Sequence, residues 1–183
     1  MAHPIKHFVT ITRHRHAVIR HCFRAGIGWQ GLFHDLSKYS LTEFVPGAKY
    51  YMGDRSPGEA QRKAEGYSLM WMHHQGRNKH HYEYWFDYVP AARGYAPVRM
   101  PVRYVAEMFC DRVAACKIYQ KQKYTDRSAL VYFQGGQAQS RMHPETAALL
   151  LCWLTLLAEQ GEDAAFACVR RDVKRGTYPE KDS

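Results

Sequence analysis

Residues 101–123, PVRYVAEMFCDRVAACKIYQKQK, carry the strongest helical pattern of this chain and decide its fold class. Pro101 lies at or near the first turn, where the missing N–H of proline does not break a helix. Glu107 and Asp111 are four residues apart and therefore share one side of that helix. Their surroundings are apolar: Val105, Met108, Phe109, Val113 and Ala114. Because a carboxylate among apolar side chains needs a cation, Asp111 is a candidate metal ligand, the alternative being an ion pair with an arginine such as Arg112.

The same helical period runs through most of the chain, and the alternation typical of β-strands is nearly absent. The sequence predicts an all-α fold, a compact bundle of about six to eight helices with one long irregular loop at residues 75–101. We expect a single domain over residues 1–175 and a polar C-terminal tail over residues 176–183. Predicted helices cover residues 4–24, 29–38, 40–53, 57–74, 101–123, 125–135, 143–161 and 162–175.

The composition is that of a globular domain with a strongly basic balance. The chain has 183 residues, 46% of them apolar, with a formal net charge of +9 and a pI of about 9.4. This charge favours an anionic partner, namely a phosphorylated small molecule, a nucleic acid or an acidic surface. The alternative is a surface charge that only keeps the protein in solution.

Cysteine usage and apolar runs predict a cytoplasmic protein that does not enter a membrane. The five cysteines are widely spaced without a CxxC pair, which is typical of buried, reduced thiols. The start of the chain has no apolar segment of a signal peptide. Residues 147–158 form an apolar run that is too short to span a bilayer.

The most informative short motif is His34-Asp35-Leu36-Ser37-Lys38. Its adjacent imidazole and carboxylate can coordinate a divalent metal ion from one side. Lys38 follows three and four residues later and returns to the same face of a helix. Metal ligands beside a cation suit chemistry on a phosphate. The alternative for Asp35 is a solvent-facing position at a helix end.

An upstream histidine is expected to join this pair. In the first predicted helix, His7, His14 and His21 are spaced by sevens and line one edge of the apolar face. We predict His14, at mid-helix, as the ligand, whereas His16 falls on another side. For any single one of the three, a packed histidine bonded to the backbone is the alternative.

Residues 73–81, HHQGRNKHH, place four histidines within nine positions. Imidazole is the commonest metal ligand in proteins, so this loop is a candidate second metal or substrate site. The candidate ligands are His73, His74, His80 and His81. Arg77 and Asn78 add donors suited to an anion, and Glu107 is a further candidate. The alternative is a surface loop with adventitious metal affinity.

In chain order these features resemble the HD-domain superfamily of metal-dependent phosphohydrolases. The closest likeness is to a small bacterial and phage branch with an HDLSK motif and a His/Asn-rich loop. The resemblance implies an HD-like helical domain whose metal ligands are His14, His34, Asp35 and Asp111. It also implies catalytic roles for Asp35, Lys38 and His74. Lys38 stands where nucleotidase-type members carry a glutamate, which favours the phosphodiesterase-type motif.

The resulting hypothesis is a metal-dependent hydrolase of a phosphoester, a monoester or diester that includes nucleotides among its candidates, acting through metal-activated water. One or two divalent ions are expected. Mixed imidazole and carboxylate ligands favour Mn, Fe, Co or Ni, with Zn and Mg as alternatives.

Two other functions stay open at this point. The first is a di-iron enzyme of the oxygenase type on the same kind of scaffold. The second is a non-catalytic basic module that binds nucleic acid or a phosphorylated ligand through arginines and stacking aromatic rings. The residues in question are Arg13, Arg15, Arg20, Arg24, Tyr82, Tyr84, Trp85 and Tyr88.

Overall fold

The computed structural model describes residues 2–178, and nine α-helices make up most of that range. The helices are α1 (Pro4–Arg24), α2 (Gly28–Leu32), α3 (Leu41–Lys49), α4 (Pro57–Glu65), α5 (Leu69–Gln75), α6 (Val102–Gln120), α7 (Ser128–Gly135), α8 (Ala138–Arg141) and α9 (Pro144–Arg175). Short 3-10 turns cover Leu36–Tyr39, Tyr82–Tyr84, Pro90–Ala92 and Lys121–Lys123. The all-α prediction is confirmed. Of the predicted tail, residues 179–183 lie outside the described part of the chain.

Helix α6 lies at the centre of the fold, packed against α1 on one side and α9 on the other. Ten of its residues are buried, and Glu107 is among them. Phe109 is fully buried in α6 and meets the rings of Trp153 and Phe166 edge-on, with centroids 6.2 and 5.4 Å apart. These aromatic contacts fix α6 against α9. The side of α6 that carries Glu107 and Asp111 then faces α1.

The prediction of a continuous helix over residues 29–38 is wrong. Helix α2 ends at Leu32, and the chain passes through a turn into the 3-10 segment Leu36–Tyr39. Asp35 in this turn has a φ of +55°, in the left-handed region that only a few non-glycine residues adopt. Arg15 of α1 donates to the carbonyl oxygens of Leu32 and His34 and so holds the turn in place.

Two further differences arise from local backbone chemistry. The helix predicted over residues 57–74 breaks at Gly66, whose φ of +82° ends α4, and Ser68 caps α5 by accepting from the N–H of Trp71. The predicted loop contains an antiparallel hairpin, β1 (Phe86–Val89) and β2 (Gly94–Pro97). In contrast, the predicted break at Gly161 is confirmed, because a φ of +81° interrupts α9 there.

We expect Trp153→Ala to be among the most destabilising single changes in the core. Trp153 is fully buried, and its indole N–H donates to the buried carboxylate of Asp172 over 2.9 Å. Removal leaves a cavity and takes one hydrogen bond from Asp172, which keeps its ion pair with Arg171, so the free energy of unfolding should fall by about 3–5 kcal/mol. Urea denaturation measures this. Tyr132→Ala, at a side chain that is 66% exposed, should change it by less than about 0.5 kcal/mol.

Two predictions made from the composition concern the cysteines and membrane-spanning helices. All five cysteines are free thiols, and Cys22, Cys110 and Cys116 are buried. Within residues 2–178, every helix is too short or too polar to cross a bilayer.

Candidate metal centre

Three separate parts of the chain bring imidazole and carboxylate groups together around Asp35. His14 comes from α1, His34 and Asp35 from the turn after α2, and Asp111 from α6. The Nε2 atom of His14 lies 2.9 Å from Oδ1 of Asp111 and 3.6 Å from Oδ2 of Asp35. The Nε2 atom of His34 lies 3.1 Å from the same Asp35 oxygen and 3.7 Å from Oδ1 of Asp111. These four residues, predicted as metal ligands, form one cluster.

A second cluster lies on the other oxygen of Asp35. The Nε2 atoms of His74 and His80 lie 3.3 and 3.6 Å from Oδ1 of Asp35. His81 completes this group, with its ring tilted against that of His80 and edge-on to that of His74 at centroid distances of 4.2 and 4.8 Å. Asp35 therefore presents one carboxylate oxygen to each cluster. This arrangement suits a carboxylate that bridges two metal ions.

The left-handed conformation of Asp35 is what allows this bridging position. On a regular helix, neighbouring side chains point about 100° apart, so His34 and Asp35 would not both face the same centre. A left-handed backbone conformation at a non-glycine residue costs free energy, and such conformations concentrate at functional sites. Both side chains are 1% exposed, and each points into the bundle.

Unpaired buried atoms test whether these residues fit a metal. Within the described chain, Nε2 of His14, His34 and His80 and Oδ1 of Asp35 are buried and lack a hydrogen bond of good geometry. Buried polar atoms without partners are rare in folded proteins because each carries an uncompensated loss of hydration. Here the unpaired atoms are the lone-pair donors that converge on two points. The residues fit a pair of divalent cations.

Glu107 fixes the orientation of one histidine in each cluster. Its Oε1 lies 2.8 Å from Nδ1 of His34 and 3.2 Å from Nδ1 of His80. A carboxylate that accepts from Nδ1–H leaves Nε2 as the metal-binding nitrogen. Glu107 was predicted as a direct ligand or substrate contact. With His34 and His80 it forms a third group that could hold a metal ion. Its contacts with both Nδ1 atoms also suit it to position the two rings, and Gln30 donates to its second oxygen.

Glu43 performs the same task for His74. Its two carboxylate oxygens lie 2.7 Å from Nδ1 of His74 and 2.7 Å from Nδ1 of His73. The sequence predicts a capping box between Ser40 and Glu43, yet Ser40 makes no cap bond in α3 and Glu43 turns inward. Asn78 supports the arrangement by donating to the carbonyl oxygen of His74.

Lys38 places a positive charge at the edge of the centre. Its Nζ donates to Oδ2 of Asp35, and its side chain is 28% exposed. Burial opposes the charge of Lys38, but the carboxylates of Asp35 and Asp111 outweigh it and raise the pKa of Lys38 above its ordinary value. The ammonium group is therefore permanently charged near neutral pH, as the motif predicts.

The carboxylates of the centre are ionised for the same reason. Burial alone would raise the pKa of Asp35, but the positive charges of His34 and Lys38 hold it well below its ordinary range. Asp111 behaves alike, because its close contacts with the imidazoles of His14 and His34 outweigh burial and lower its pKa. The pKa of Glu107 falls to about 2, since contacts with His34 and His80 outweigh burial. These three carboxylates therefore bring negative charge to the centre near neutral pH.

Two of the candidates from the histidine loop do not reach the clusters. His73 points to Glu43, and Arg77 is exposed. Sequence reasoning missed Glu43 as a partner of His74, and missed Gln30 altogether. The sequence pattern could not predict either contact, because the two residues of each pair are 31 or more positions apart.

The comparisons with known proteins place the chain in a family without assigning an activity. Residues 3–155 match the family of unknown function designated DUF5662. The chain belongs to that family. No curated protein and no solved structure matches it. The matched segment of this DUF5662 member contains every residue of both clusters.

Proposed function

We propose that this protein is a metal-dependent phosphohydrolase with a dinuclear centre bridged by Asp35. The observation that supports this most directly is the division of the Asp35 carboxylate between two imidazole clusters, with Lys38 on the same oxygen as the first cluster. A pair of oxyanion-binding cations next to a fixed ammonium suits a phosphoryl group. The resemblance to the HD-domain superfamily leads to the same proposal.

The residues that would hold the two ions follow from the clusters. One ion would be held by His14, His34, Asp111 and Oδ2 of Asp35, and the other by Oδ1 of Asp35 and the second histidine cluster. That second cluster comprises His74, His80 and His81. Mixed nitrogen and oxygen ligation favours Mn, Fe, Co or Ni. When bound, such ions lower the pKa of a water molecule and neutralise phosphoryl charge.

Side chains of the protein itself would bind the phosphoryl group, stabilise its charge and exclude water. The ammonium of Lys38 binds a phosphoryl oxygen and stabilises the charge that gathers on it as water attacks phosphorus. The bond from phosphorus to the leaving alcohol breaks, and the proton lost by the water ends on that alcohol. The buried walls around Asp35 exclude other water and keep the ligands aligned.

Part of the surface that the nucleic-acid alternative would use is occupied within the fold. Arg24 is paired with Glu162 and Asp163, and Arg15 is occupied by backbone carbonyls, so the arginine stripe of α1 is partly used within the fold. Trp85 packs on Tyr104 and donates to the backbone. Of the other groups named for this alternative, four are exposed, namely Arg13, Arg20, Tyr84 and Tyr88. Salt-dependent binding of nucleic acid without turnover would support this alternative.

The test compares metal content and phosphoesterase activity in wild type, His34→Ala and His16→Ala. Wild type should carry close to two transition-metal ions and hydrolyse at least one member of a phosphomonoester and diester panel. His34→Ala should lose metal and at least about 10²-fold in turnover. The matched control His16→Ala removes an exposed imidazole from α1 and should retain both. Iron with oxygen consumption and no phosphatase activity would favour the di-iron alternative instead.

A further inference from the structure

A cavity of about 60 Å³ lies beside the second cluster, between α1, α5 and the segment that joins α3 to α4. Lys38, Glu43 and His74 form the side of it that touches the metal centre. Its outer wall includes half-buried residues such as Tyr51, Ser56 and Trp71, which places the opening toward solvent there. A substrate whose phosphoryl group sits at Lys38 would place its other end in this cavity.

The wall contains a buried histidine that the metal centre does not use. His7 is 5% exposed, and its Nδ1 is buried without a hydrogen-bond partner among the described residues. Its ring packs on the backbone of Gly47, where even a Cβ atom would lie 2.4 Å from Nε2. Burial first, and then the charge of Lys38, lower the pKa of His7 to about 4, so the ring is neutral near pH 7. An unpaired, neutral nitrogen in a cavity wall is suited to a hydroxyl group of a ligand.

Hydroxyl groups make up much of the remaining polar wall. The hydroxyls of Thr10 and Tyr51 lie 2.8 Å apart, and each keeps further capacity to donate or accept. Tyr119 and Ser56 also line the cavity. Of the charged groups in the wall, Glu43 is occupied by two histidines and Lys38 is directed to the centre. The wall thus offers neutral hydrogen bonds and aromatic faces rather than a second cationic site.

The size of the cavity limits what it can hold. A buried water needs roughly 10–15 Å³ of cavity, so this one has room for about four to six water-sized atoms. A short alcohol of about three carbons fits that space, whereas a nucleoside is several times larger. The lining also lacks a second free cation, within the described residues, for a further phosphate.

We propose that this cavity binds the alcohol part of a phosphomonoester of a short polyol, with hydrogen bonds to His7, Thr10 and Tyr51. The inference rests on the proposed phosphohydrolase function and narrows its substrate class. The small volume favours a short alcohol over a nucleoside, and the neutral hydrogen-bonding groups of the wall favour hydroxyl groups. Tyr51 and Thr10 would then determine specificity without taking part in the bond-breaking step.

The test uses the metal-loaded full chain with glycerol 3-phosphate and adenosine 5′-monophosphate as probes. Wild type should show a kcat/KM at least about tenfold higher for the polyol ester. Calorimetry with the phosphonate analogue of glycerol 3-phosphate measures binding without turnover. Tyr51→Phe and Thr10→Val should each weaken that binding by about 3- to 10-fold, the effect of one lost hydrogen bond.

Tyr95→Phe is the matched control, since this tyrosine is 80% exposed on β2. It should bind the analogue as wild type does. A preference for the nucleotide, or unchanged binding in both cavity variants, overturns the polyol inference and leaves the phosphohydrolase intact. Absence of turnover on every phosphoester overturns the proposed function and the inference together. Thermal unfolding of each variant shows whether a loss of binding reflects a loss of fold.

Discussion

Asp35→Asn is expected to abolish both metal binding and hydrolysis. The Asp35 carboxylate presents one oxygen to each cluster, with Oδ2 toward His14 and Oδ1 toward His74. An asparagine has nearly the same shape but carries no charge, so two cations would be held close together without an anion between them. We expect less than one equivalent of metal per chain and a fall in turnover of at least about 10³-fold, or roughly 4 kcal/mol.

Metal analysis after desalting, together with initial rates on the preferred phosphoester, measures this effect. Asp87→Asn is the matched control, because Asp87 is exposed on β1 and accepts only a local bond from the N–H of Tyr88. It should keep the full metal content and rate. If Asp35→Asn retained two ions and more than a tenth of the activity, the bridging role would be wrong.

Glu107→Gln is expected to weaken metal binding without unfolding the protein. The substitution keeps the shape and a hydrogen-bonding oxygen near His34 and His80, but it removes the charge that makes these rings stronger ligands. The amide of Gln30 can rotate to meet the new side chain, which limits the structural damage. Removing such a partner usually costs about 10–100-fold in metal affinity, and we expect a loss in this range.

Competition with a chelator of known affinity gives the dissociation constants of the two ions. Glu107 contacts one histidine of each cluster. We therefore expect the dissociation constants of both ions to rise, whereas a change confined to one metal site would raise only one of them. Glu59→Gln, at a side chain that is 61% exposed on α4, should leave both unchanged. Equal affinities in wild type and Glu107→Gln would contradict the positioning role.

The helices that the sequence predicts best are those with long, uninterrupted amphipathic patterns. α1 has the predicted bounds, and α6 begins one residue later and ends three residues earlier than predicted. The failures are short elements whose ends depend on single residues, such as the break at Gly66 and the turn at Asp35. Local pattern cannot decide these positions, because tertiary contacts stabilise conformations that the isolated chain would rarely adopt.

The candidate metal ligands also divide into those that the sequence predicts and those that it could not tell apart. His14, His34, Asp35 and Asp111 were predicted from burial pattern and motif, and they form one cluster. Among the clustered histidines of the loop, composition could not separate His80, which faces Asp35, from His73, which faces Glu43. That choice depends on the path of the loop between α5 and α6. Periodicity carries no information about such a path.

The sequence by itself determined that the chain is helical, that α1 and α6 carry histidine and carboxylate groups on apolar faces, and that Lys38 accompanies the His34-Asp35 pair. Only the tertiary structure decided that Asp35 serves two clusters and that Glu43 and Glu107 orient their histidines. The physical reason is that helical periodicity is a local property encoded within a few residues. Metal geometry, in contrast, depends on distances of a few ångströms between segments far apart in the chain, which packing alone sets.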